Sequence, residues 1–113
     1  MSTAAYVGAA ISAIAGVLGL CFPRRVSAVI GLHLPATLGV SEVRATYGGL
    51  FLGAGVAVML LGSSDAALVL GTAWLGAFGA RAVSVVVDRS RSKENVAGLV
   101  VEATIGALLV LGR

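Results

Sequence analysis

The chain has 113 residues, of which 58% are hydrophobic and only 12% charged, and its mean hydropathy is +1.04. It is therefore one domain but not an ordinary soluble one, because a core of this size cannot hide so much apolar surface. The formal charge of +3 comes from Lys and Arg that flank or interrupt apolar runs instead of forming a basic face, which excludes nucleic acid as the partner.

The alternative solvent is lipid, whose hydrocarbon core of about 30 Å takes roughly 20 mainly apolar residues per helical crossing. Four such runs can be counted, at about 4–22, 43–61, 66–87 and 96–111. The expected fold is all-α: a polytopic integral membrane protein, a bundle of four transmembrane helices spanning residues 1–113 as a single domain.

The first run carries no positive charge before it and is followed by Pro23, Arg24 and Arg25 instead of a small-residue cleavage site, so it reads as a retained span. Gly8, Ser12 and Gly16 recur every four residues along it, a smooth stripe for a neighbouring helix. From Arg24 to Ser41 the chain is too interrupted to cross a membrane, yet Val26, Val29, Ile30, Leu32 and Leu34 are too apolar for a free loop. An interfacial segment is expected, with a short helix ending near Gly31 to Pro35 and the two arginines facing lipid phosphates.

The second span opens near Glu42, with Ser41 as its N-cap, and contains Gly49 and Gly53 in a GxxxG spacing that signals close helix packing, within the protomer or between protomers. A turn at Gly62 to Asp65 leads into the third span. The third and fourth spans are joined by a short charged connection from Asp88 to Asn95, which makes them antiparallel neighbours and brings residues equidistant from its centre to similar depth. Arg81 and Glu102 are such a pair, each on the order of 10 Å inside the boundary at about 1.5 Å per residue.

Ionisable groups inside a membrane need a partner, an inward orientation or local water, since a central Arg or Asp costs about 2.5–3.5 kcal/mol on insertion scales. Small residues flank both positions, Ala77 and Ser84 around Arg81, Gly98 and Gly106 around Glu102. Glu42 and Arg44 enter from the same side, with Tyr47 one turn deeper, so Glu42, Arg44, Arg81 and Glu102 are expected to converge as a neutral cluster. Two readings stay open. One is a register-fixing salt-bridge network; the other is a binding site in which two guanidinium groups hold a lipid phosphate or carboxylate while a glutamate accepts a hydroxyl or amine, with Tyr47 as a further candidate ligand.

No catalytic constellation is visible, because no serine, cysteine or histidine stands in the sequence with a base and an orienting partner, and the chain is not expected to be an enzyme. Cys21 and His33, each the only residue of its kind, exclude an intrachain disulfide and argue against a Cys/His metal centre; no metal or cofactor is expected. Trp74, Tyr6, Phe22, Phe51 and Phe78 read as scattered packing or interface anchors. The partners expected are the bilayer, a lipid or amphipathic ligand, and a second copy or another membrane protein seated on the glycine faces; a small transporter or channel is a third, weaker reading.

Arg24, Arg25, Arg44, Arg89, Arg91 and Lys93 fall on one side of a four-span chain and only Arg113 on the other. By the positive-inside rule both termini lie outside and the first and third connections in the cytoplasm.

The run Glu42-Val43-Arg44-Ala45-Thr46-Tyr47-Gly48-Gly49, followed by Gly79-Ala80-Arg81 and then Glu102, resembles an uncharacterised family of small four-span bacterial membrane proteins, a domain of unknown function. The resemblance covers nearly the whole chain and implies four helices, a bacterial cytoplasmic membrane and importance for the charged positions, without an activity. Its third connection carries Asp-Gly with a nearby proline where this chain has Asp88-Arg89-Ser90. A looser similarity to DoxX-like four-helix membrane proteins is one of fold only.

Overall fold

Uncharged residues from Thr3 to Cys21 build helix α1, and the next helix begins at once, with Pro23 at its first position, where a missing N–H removes no hydrogen bond. This short helix, α2 (Pro23–Ile30), ends at Gly31, whose φ of 80° is the left-handed conformation that glycine adopts without strain. It is the short helix expected between the first two spans, and on it Arg24, Arg25 and Val29 are exposed. The computed structural model describes residues 1–113.

The second span starts earlier than the sequence suggests. Helix α3 (Thr37–Val43) has Ala36 as its N-cap, in extended conformation and without a side-chain bond, so Ser41 lies inside the helix and caps nothing. Pro35 explains the position, because it biases the residues around it toward extended backbone and the helix opens as soon as it is passed. From Arg44 to Leu50 the rod continues as a π-helix, then as α4 (Phe51–Leu61), which ends at Gly62 with φ 60°. The whole rod, Thr37–Leu61, is 25 residues long.

Ser63 caps helix α5 (Ser64–Val87) by accepting from the Ala66 amide at 3.1 Å. Past Asp88, Arg89 stands at φ 54°, a left-handed position, and the Ser90 amide turns back to the Ser84 carbonyl at 3.3 Å. Ser92 then caps α6 (Lys93–Gly112) through the Asn95 amide, 3.2 Å away. The Ser2 amide donates to the Gly112 carbonyl at 2.6 Å, which puts both termini at one end, as an even number of spans requires.

Four helical segments, α1, the Thr37–Leu61 rod, α5 and α6, are long and apolar enough to cross a membrane. They form a flattened bundle of 40 × 31 × 16 Å in which α1 lies between α4 and α6, and α6 lies between α1 and α5. Only 23 of 113 residues are buried, and side chains such as Leu60 and Leu111 are more than 80% exposed, which only an apolar solvent accommodates.

Interhelical contact rests on small residues. A Cβ on Gly19 would collide with the Tyr47 backbone carbonyl, and one on Gly48 would stand 2.7 Å from the Leu20 amide nitrogen, so α1 and the π-helical stretch touch backbone to backbone. Behind them, Ser12 is fully buried; its hydroxyl donates to the Phe51 carbonyl and accepts from the Trp74 indole, both at 3.3 Å, linking three spans.

Candidate functional site

Although α4 and α5 are joined by only two residues, they leave a groove between them of about 860 Å³. Small residues on both helices leave room for it, with Ala54 and Ala57 of α4 and Ala73, Ala77 and Ala80 of α5 all in its lining. The volume lies within the range of roughly 300–1,000 Å³ typical of small-molecule sites. Aromatic rings form part of the wall. Phe51 packs on Trp74 with centroids 4.6 Å apart and meets Tyr47 edge-on at 5.8 Å, so residues scattered along the sequence become one aromatic group.

At one end of this apolar groove stands a polar network. Arg81 donates from Nε to both Glu102 oxygens at 3.0 Å, from Nη2 to Glu102 Oε1 at 2.6 Å, and from Nη1 to Asn95 Oδ1 at 2.9 Å. Asn95 is itself fixed by donating to the Ser90 carbonyl at 2.7 Å. The Glu102 side chain is 7% exposed and that of Arg81 28%, so the carboxylate is covered and the guanidinium forms the rim. Gly98 seats it: a Cβ there would lie 2.7 Å from the guanidinium carbon. Matched depth on antiparallel neighbours brings this pair together, as the short connection requires.

The fourfold cluster does not form. Arg44 is exposed and donates to the Leu20 carbonyl at the end of α1, Glu42 is exposed without an ion pair, and the Arg81–Glu102 bridge stands alone. The π-helical stretch is the physical reason, because its wider turns re-aim the residues around it relative to an α-helix. Tyr47, by contrast, does line the groove beside Arg81 and Glu102.

The glycines also divide. Gly98 and Gly106 face α5, with a Gly106 Cβ coming 2.6 Å from Leu75 Cδ2, but nothing of the chain lies within 4 Å of a Cβ on Gly53, and only the Arg44 carbonyl, at 3.9 Å, approaches one on Gly49. Close packing of the second span within the chain falls instead on Gly48 and Gly55. Asn95 was not singled out from the sequence, where it reads as loop; the signal available was Ser92 three residues before it, a helix cap that moves Asn95 into the first turn of α6.

Of the remaining candidates, His33 and Cys21 stand apart from the groove, whereas Ser84 lines it. His33 and Cys21 are exposed, and the Ser84 hydroxyl donates to Asp88 at 2.7 Å in the last turn of α5.

No curated protein and no solved structure matches the chain. A family model does, over residues 2–112, and it spans all four membrane-length helices together with the polar network: the chain belongs to the family described as domain of unknown function DUF4345.

Proposed function

We propose that this protein binds a lipid or another amphipathic small molecule in the groove between α4 and α5, with the apolar part of the ligand along the alanine walls and its head at Arg81, Asn95 and Glu102. The observation that carries this reading is the union, in one concavity, of a long apolar wall and a single polar end. A purely structural ion pair has no need of an adjoining void. Binding is favoured over catalysis because the hydroxyls lining the groove, Thr46, Ser84 and Tyr47, have no imidazole or amine beside them to act as base.

Ala73→Trp tests the groove, since its indole would fill the space where α4 and α5 face each other. Native mass spectrometry of wild type extracted gently from its own membrane should show a retained amphiphile, lost in Ala73→Trp at unchanged helix content. A bare wild-type protein, or equal retention by both, would sink the reading.

The setting proposed is a bacterial cytoplasmic membrane with the α5–α6 connection inside, which places the polar end of the groove in the cytoplasmic half. The excess of arginine and lysine at that end supports it. In a Cys21→Ser background, Arg91→Cys should react with a membrane-impermeant thiol reagent only after the cells are opened; labelling of intact cells would reverse the orientation.

A further inference from the structure

We infer that the head of the amphiphile is uncharged and presents a hydrogen-bond acceptor, such as an ester or ketone carbonyl, to Arg81 and Tyr47. This deepens the groove reading and rests on it. Two features of the polar end point to such a head: the hydrogen-bonding capacity left over there and the charge already balanced there.

A guanidinium has five N–H donors. In Arg81 the Nε donor and one on Nη2 go to Glu102, and one on Nη1 goes to Asn95, leaving one N–H on each terminal nitrogen without a protein partner. The Tyr47 hydroxyl, on the opposite wall, has none either. The strongest acceptors are already committed: Glu102 is 5% exposed, its oxygens bound by the guanidinium, and the Asn95 oxygen is taken by Arg81. Arg81 and Tyr47 thus line the groove with donors to spare, while the carboxylate and amide oxygens there are engaged. An ammonium head would meet the hydroxyl oxygens of Thr46, Ser84 and Tyr47 but no free carboxylate to balance its charge, because Glu102 is already paired.

Charge decides between the acceptors that remain. Arg81 and Glu102 are the only charged residues lining the groove, they are bonded at 2.6 Å, and together they are neutral. The second guanidinium that a carboxylate or phosphate would require is absent, because Arg44 is bound to the Leu20 carbonyl instead. An anionic head would place an unbalanced negative charge beside a buried glutamate within the membrane, where each uncompensated ion costs several kcal/mol. An uncharged carbonyl takes the same two or three donors without that cost.

Trp74 is the only tryptophan of the chain and lines the groove, so its fluorescence reports occupancy. The probes are dibromostearate, its methyl ester and the corresponding dibrominated amine, whose bromines quench an adjacent indole; they are titrated into the protein in nanodiscs of zwitterionic lipid, at a pH where the acid is ionised. Methyl dibromostearate should quench at a concentration about tenfold lower than acid or amine. Tyr47→Phe, a change on a half-buried ring, should weaken the ester about fivefold, as expected for one lost hydrogen bond. Glu102→Gln, which leaves Arg81 uncompensated, should invert the order so that the acid binds best.

Equal or tighter binding of the acid by wild type would overturn the uncharged head while leaving an amphiphile in the groove. Equal binding of all three probes, indifferent to Tyr47→Phe, would overturn it in the same way and reduce the site to a chain-binding slot. If no probe quenches beyond the bulk lipid background, and Ala73→Trp changes nothing, the groove reading itself falls. A dimer that buries Trp74 and excludes all three would overturn both.

Discussion

Arg81→Ala is expected to lower the stability of the folded protein by about 3–5 kcal/mol, the loss typical when one partner of a buried ion pair is removed. The Glu102 carboxylate would remain covered by α5 and α6 with no donor from its partner, in a protein whose surroundings supply little water. Glu102→Gln should cost less, since the 28% exposed Arg81 side chain can turn its guanidinium toward the groove mouth while the stem stays in place. Arg81→Met combined with Glu102→Gln removes both charges and should recover most of the loss. Helix content followed by circular dichroism during denaturation in detergent measures all four proteins. If the double variant is no better than Arg81→Ala, the pair stabilises through packing instead of charge compensation.

Gly19→Val should separate α1 from the π-helical stretch and cost about 3 kcal/mol or more, the upper end of overpacking effects. The obstacle is backbone, not a side chain that can rotate away: the Tyr47 carbonyl occupies the place of the new Cβ. Gly53→Leu is the contrasting substitution, expected within about 0.5 kcal/mol of wild type because no atom of the chain lies within 4 Å of the added Cβ. The same observation favours a second reading of the molecule, an accessory or self-associating subunit that offers the outward Gly49 and Gly53 face to another helix. On that reading Gly53→Leu leaves the monomer folded and abolishes crosslinks formed in the membrane; crosslinks that survive the change would assign that face to lipid.

The two substitutions also separate the two kinds of contact that a GxxxG spacing allows, within the chain and between copies. GxxxG spacing identifies glycines one turn apart, but in this span Gly48 and Gly55, not Gly49 and Gly53, meet α1. Spacing is a property of one helix, whereas facing depends on its rotation relative to a neighbour. The π-helical stretch from Arg44 to Leu50 changes that rotation in the middle of the span. The same local widening separates Arg44 from the groove while Tyr47 remains on its wall. Formal charge and depth could not distinguish Arg44, bound at the end of α1, from Arg81, bound to Glu102.

What could be read from the chain alone was whatever depends on transfer free energy and contour length. The apolar runs are long enough to cross lipid, Pro23 and Gly31 bound a segment too polar to follow them, and a short connection sets Arg81 and Glu102 at the same depth on adjacent helices. These properties are local and nearly additive, so residue order suffices. Tertiary structure alone decided that α4 and α5 part to leave a groove, that Tyr47, Phe51 and Trp74 gather on its wall, and that Asn95 completes the polar end. Each of these depends on which face of a helix meets which neighbour, and in a bundle held by close contacts between small residues that choice is made by packing of all the helices together.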